Sequence, residues 1–145
     1  MYQLQMQQKF QVSLDQLYDA WCNVDTIKRW FAPGDMSVLE AQADVREGGR
    51  YRIVMQENDG TQHIVGGQYL EIVANEKMVF DWQWEGSPTT TTVSLVFSAV
   101  DDHVSLLELT HIGFIDQDSC DHHQQGWTGC LGNLTQLTAN ATARV

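Results

Sequence analysis

The chain has 145 residues, the size of one ordinary domain, and 43% of them are hydrophobic, enough to bury a core without disulfide or metal staples. Eight Lys and Arg against nineteen Asp and Glu leave a formal charge of −11, which argues against nucleic acid and anionic membrane surfaces as partners. No stretch approaches the roughly eighteen apolar residues of a membrane span, so no membrane crossing is expected.

Tyr2, Leu4, Met6 and Phe10 alternate with Gln3, Gln5, Gln7 and Lys9. Period two with one wet face predicts a strand of an antiparallel sheet. Ser13 reads as a helix start, with Leu14, Leu17, Tyr18, Trp21 and Cys22 following at helical spacing. A second short helix is predicted over 25–30, capped by Asp25 and stopped by Ala32-Pro33-Gly34. Six strands follow, at 37–45, 49–56, 63–73, 78–84, 90–100 and 104–113. Turn chemistry separates them: Glu47-Gly48-Gly49, Asn58-Asp59-Gly60, Asn75-Glu76, Glu85-Gly86-Ser87-Pro88 and Asp101-Asp102. The last segment, 118–143, carries Trp127, Leu131, Leu134, Thr138 and Ala141 at helical spacing, widened by Cys130 and Leu137. Gln124, Gln125, Asn133, Gln136 and Asn140 mark its polar side. Its apolar stripe needs a partner, and the sheet is the only surface left.

This order predicts one α+β domain over 1–145: a curved antiparallel sheet of six or seven strands that grips the C-terminal helix across its concave face. A space between sheet and helix, lined by apolar and aromatic groups, is a usual small-ligand site.

Several segments resemble one known family. They are Val12, Leu17 and Trp21; Trp30-Phe31-Ala32-Pro33; Asp44-Val-Arg46-Glu-Gly48-Gly49-Arg-Tyr51; Gly67-Gln-Tyr69-Leu-Glu71-Ile72; Met78-Val-Phe80-Asp-Trp82-Gln-Trp84; Leu107 to Phe114; and His123-Gln-Gln-Gly126-Trp127 with Leu131. In number, order and spacing they resemble the activator of heat-shock protein 90 ATPase homologue-like family of the START-like (SRPBCC) helix-grip superfamily. The resemblance covers nearly the full length and implies a fold and a cavity. It implies much less about chemistry, because the superfamily hosts carriers, cyclases and hydrolases.

Met78, Phe80, Trp82 and Trp84 fall on one strand face. Val93, Leu95, Phe97 and Ala99 do so on the next, and Leu107, Leu109 and His111 on the one after. This floor has two readings, a solid core or a ligand pocket. For the pocket the expected lining is Trp30, Tyr51, Trp82, Trp84, Leu95, Phe97, Leu109, His111, Phe114, Trp127 and Leu131. His111, the polar residue on the floor, is open to a satisfied structural hydrogen bond, to ligand binding or to acid–base work. Trp30-Phe31-Ala32-Pro33 reads as a core hinge or as one wall or gate of the cavity. Asp44 and Arg46 share a strand face and are expected to pair.

No catalytic constellation is recognisable: there is no GxSxG, phosphate loop or HExxH. Asp81 and Glu108 fall on the outer sheet face by alternation. Cys120-Asp-His122-His123 is the one metal-like cluster, but adjacent histidines diverge and three or four converging ligands are needed. No metal and no cofactor are therefore expected. Cys22, Cys120 and Cys130 are odd in number with no CxxC, and no apolar h-region opens the chain, so reduced thiols and a cytoplasmic location are expected. The expected function is binding of a small hydrophobic or aromatic molecule. The alternatives are a cyclase- or hydrolase-type enzyme acting near His111, and a protein-interaction or chaperone-regulator module. A homodimer is left open.

Overall fold

The computed structural model describes residues 2–143, the side chains of 140–143 excepted, so the expected placements of Asn140 and Ala141 lie outside the described residues. In chain order the elements are β1 (Tyr2–Phe10), α1 (Leu14–Ala20), α2 (Val24–Trp30), β2 (Ser37–Ala43), β3 (Arg50–Gln56), β4 (Gln62–Val73), β5 (Lys77–Trp84), β6 (Thr91–Ala99), β7 (Ser105–Phe114) and α3 (Gln117–Ala143). The seven strands form one antiparallel sheet in the order β1-β7-β6-β5-β4-β3-β2. The α+β architecture read from the sequence is thus present, with strand ends differing by one or two residues.

Local chemistry sets the helix starts. Ser13 and Gln16 form a reciprocal capping box at α1. The α2 cap is Asn23 rather than Asp25: the Asn23 side chain accepts the Asp25 backbone N–H. Asp25 instead lies in the first turn, where its charge faces the positive end of the helix dipole. At α3 the Asp116 carboxylate accepts the Ser119 N–H at 2.8 Å, in the manner of an N-cap.

β4 passes close to both neighbours at Gly66-Gly67. A Cβ on Gly67 would sit 2.1 Å from the Asp81 carbonyl oxygen of β5, and one on Gly66 would sit 2.8 Å from the Tyr51 carbonyl oxygen of β3. The Tyr51 hydroxyl reaches across this bare stretch and donates to the Asp81 carbonyl oxygen at 2.5 Å. Three strands are tied together where no side chain intervenes.

The helices cover the sheet unevenly. α3 approaches β1, β7 and α2, α1 lies against β6 and β7, and α2 lies against β2. The stretch from the central strand β5 to β3, toward the β2 edge, is met by large rings instead of helix backbone. Trp127, Cys130, Leu131, Leu134 and Thr138 form the buried stripe of α3, and Leu137 is half-buried. Asn133 departs from the expected polar side. Its amide donates to the carbonyl oxygens of Trp30 and Ala32 at 3.3 and 2.8 Å, fastening α3 to the end of α2.

Candidate functional site

A cavity of about 480 Å³ opens between strands β3 to β5 and the first half of α3. Met55 of β3, His63 of β4, and Trp82 and Trp84 of β5 form its floor. His122, His123, Gly126, Trp127 and Cys130 of α3 form its roof, and Phe31, Pro33 and Met36 of the α2–β2 connection close one side. The β5 alternation places Met78, Phe80 and Trp82 inward and buried, and brings Trp84 to the cavity. Trp127 enters from the opposite side because it opens the apolar stripe of α3. The rings of Trp82 and Trp127 lie 5.0 Å apart, and those of Trp82 and Trp84 meet edge to face at 5.5 Å.

Of the residues expected to line a pocket, Trp82, Trp84 and Trp127 are on this wall. The other eight are not, and each has a packing reason. Leu95, Phe97 and Leu109 lie further along the same sheet face, under helices rather than beside the cavity; Phe97 packs edge to face with Tyr18 of α1 at 5.1 Å. Trp30 turns into the core against Trp21 and donates its indole N–H to the Ala20 carbonyl oxygen at 3.0 Å. Tyr51 lines a separate void of about 20 Å³ beneath α2. Leu131 is buried in the core cluster. Phe114 packs at a tilt against both His111 and His123, 4.4 and 4.9 Å from their rings.

His111 stands just behind the cavity wall, fully buried. Its hydrogen bonds form a directed chain. The Trp127 indole N–H donates to His111 Nδ1 at 3.1 Å, so the ring proton is on Nε2. His111 Nε2 then donates to Thr91 Oγ1 at 2.7 Å, and the Thr91 hydroxyl donates to the Trp82 carbonyl oxygen at 3.2 Å. Both ring nitrogens are used, and both are used in the neutral form. Burial, with His123 nearby, pulls the His111 pKa down to about 3. Of the three roles open in the sequence, the geometry matches the structural one.

His123 repeats the device on the cavity wall itself. Its Nδ1–H donates to the Ser119 carbonyl oxygen at 2.7 Å, and its Nε2 accepts the Trp84 indole N–H at 2.9 Å. Burial lowers its pKa as well, against the opposing pull of the Ser119 contact. Two neutral histidines thus hold two tryptophans in fixed orientations around the cavity. His122 is exposed, and His63 pairs at 2.7 Å with Glu57. Among the described residues no His, Cys, Asp or Glu group converges as a metal site. The Cys130 thiol donates to the Phe31 carbonyl oxygen at 2.9 Å, and burial pushes its pKa up to about 12.

Asp81 and Glu108 lie off the cavity, and the Glu108 carboxylate accepts the Gln7 amide on the outer face. The expected Asp44–Arg46 pair forms at 2.8 Å on the surface. Phe31, Pro33, Met36, Met55, His63, His122, His123, Gly126 and Cys130 are cavity residues that the expected lining omits. Strand alternation could have given Met55, which is buried on β3 with Tyr51 and Ile53. The α2–β2 connection was open in the sequence to a core hinge or a cavity wall; Phe31 and Pro33 are on the wall, and Asn133 and Cys130, a hundred residues away, hold the connection there.

A seven-stranded antiparallel sheet gripping one long C-terminal helix, with an apolar cavity between them, defines a helix-grip α+β domain. The chain belongs to the family described as Activator of Hsp90 ATPase homolog 1-like protein, whose model matches residues 11–139. Its fold is similar to that of an AHSA1 protein from Silicibacter pomeroyi (21% identity, 97% of this chain and 99% of that chain covered, TM-score 0.86). It is also similar to a protein from Chromobacterium violaceum (19% identity, 94% and 96% covered, TM-score 0.85) and an AHSA1-like protein from Aeromonas hydrophila (20% identity, 97% and 94% covered, TM-score 0.83). No match is found among curated proteins. No helix among the described residues is long and apolar enough to cross a membrane.

Proposed function

We propose that this chain is a single domain that binds a small hydrophobic or aromatic molecule in the cavity between the sheet and α3. The observation that carries this reading is the cavity itself: about 480 Å³, walled by Phe31, Trp82, Trp84, Trp127 and two methionines. Small-molecule sites run from roughly 300 to 1,000 Å³ and are mostly apolar with few polar groups. The histidine–tryptophan bonds hold the walls in place before a ligand arrives, which reduces the ordering cost of binding. No charged side chain of Asp, Glu, Lys or Arg lines the space, so the occupant is apolar over most of its surface.

Native mass spectrometry of the purified protein, followed by organic extraction, tests the reading directly. A hydrophobic molecule is expected to leave with the protein. When resupplied at about a hundred times its Kd, it should raise folding stability by roughly 2.7 kcal/mol. Trp84→Ala, at the half-buried rim, should weaken binding while leaving the fold intact. Binding unaffected by Trp84→Ala would place the molecule elsewhere.

A further inference from the structure

The middle of α3 carries three glycines, Gly126, Gly129 and Gly132, although glycine inside a helix is less stable than alanine. Their surroundings differ. A Cβ on Gly129 would sit 2.9 Å from the Pro33 Cβ, so this glycine lets the α2–β2 connection approach the helix. Gly132 is exposed, and a Cβ there would meet nothing within 4 Å. A Cβ on Gly126 would also meet nothing within 4 Å, but Gly126 is half-buried and lines the large cavity. Packing does not exclude a side chain at this position.

Gly126 is central to the roof. At 3.6 residues per turn, the α3 residues of the cavity wall run around the helix in the order His122, Gly126, Cys130, His123, Trp127. A side chain at Gly126 would therefore enter between wall residues on either side of it. The helix is also held on both flanks and has no freedom to back away. Cys130 and Asn133 donate to the carbonyl oxygens of Trp30, Phe31 and Ala32, His123 accepts the Trp84 indole N–H, and Trp127 donates to His111. Space taken by a side chain at Gly126 is space taken from an occupant.

We propose that the bare turn at Gly126 is a notch that selects the ligand, and that it admits the edge of a flat, uncharged system of two or more fused rings. Two arguments favour rings over a chain. Phe31, Trp82 and Trp84 on the facing walls can make stacked or edge-to-face contacts with a flat ring. A flexible alkyl chain bends around a small obstacle and has no need of a bare helix turn, whereas a rigid ring system does not bend. The absence of Asp, Glu, Lys and Arg from the lining disfavours a charged group. The proposal rests on the large cavity being a ligand site and adds the residue that selects its occupant.

Calorimetric titration of the intact protein with 2-naphthol and 1-octanol, both uncharged and each with one hydroxyl, separates ring from chain. The wild type should bind 2-naphthol more tightly. Gly126→Leu should weaken 2-naphthol about tenfold and 1-octanol far less. Gly126→Ala should weaken 2-naphthol while raising the melting midpoint, because its methyl group occupies the notch and favours the helix. Gly132→Leu, on the exposed face of the same helix, should leave both affinities unchanged. Undiminished 2-naphthol binding in both Gly126 variants would overturn the notch and leave the cavity reading standing. So would a lowered midpoint for Gly126→Ala, which would make the glycine a packing requirement, or an equal loss in Gly132→Leu. Tighter wild-type binding of 1-octanol, or equal weakening of both probes by Gly126→Leu, would overturn the fused-ring ligand. Binding of neither probe to the wild type would overturn this proposal together with the cavity reading.

Discussion

His111 shows how one side chain can be polar, buried and stable at once. Its ring is wholly satisfied as long as it is neutral: it accepts from Trp127 and donates to Thr91. A second proton would face the Trp127 N–H head-on. The folded pKa of about 3 lies below the ordinary value of 6.5. In the interval between them the unfolded chain takes up a proton that the folded one refuses. This contribution to stability is complete above pH 6.5 and is lost as pH falls, at about 1.4 kcal/mol per pH unit. His123 adds to the loss in the same direction. Urea midpoints should therefore drop between pH 7.5 and 5, and the ¹⁵N shifts of the folded His111 ring should stay constant. His111→Phe should cost about 2 kcal/mol at pH 7.5, because it strands the Trp127 N–H, and should flatten the acid slope. An unchanged slope would contradict the buried neutral ring. The sequence showed a buried polar ring and offered a satisfied structural hydrogen bond as one of three roles, without deciding among them. Alternation put His111 on the inner face, but the partners that decide its role sit on β6 and α3.

At the scale of elements, periodicity reported well. The α3 stripe from Trp127 to Thr138 and the inward face of β5 are both where spacing put them, since burying large apolar groups dominates the choice of face. Trp127→Ala should accordingly cost about 3–5 kcal/mol, read from chemical denaturation. Its indole donation to His111 adds to the packing loss. Asn133 was misread for the opposite reason: its value lies in two carbonyl oxygens at the end of a distant helix, which no local pattern records. Gly67 is a second such case. In the sequence it is one residue of a family-like segment, and only the β4–β5 approach shows that there is no space for a methyl group. Gly67→Ala should destabilise by about 3 kcal/mol, with the strain felt at β5. Gly60→Ala, at a turn open to solvent but with φ of +94°, should cost nearer 1 kcal/mol. Parallel melting curves would rank the pair.

For the molecule as a whole, helix placement decides where the cavity lies. α3 covers one flank of the sheet and α2 the other, so the hollow falls over β3 to β5. The sequence could show that a floor existed but not which part of it would remain uncovered. That depended on Asn133 and Cys130 drawing α3 toward α2, away from the sheet's centre. Hence the expected lining ran along the whole inner face, while the actual wall takes only its β3–β5 end and adds the α2–β2 connection.

Uneven cover also has a consequence in time. Backbone amides under α3 and α1, on the doubly paired strands β6 and β7, are sealed by a solid core, so their hydrogens should exchange with solvent only when the entire chain opens. Those of β3 and β4 lie beside rings and the cavity, and smaller excursions should release them. In deuterated buffer the two groups should separate by orders of magnitude in exchange rate. An occupant of the cavity should slow the β3 and β4 amides first, bringing their rates toward those of the sealed flank. A uniform exchange rate across all seven strands would mean that the cavity does not divide the sheet.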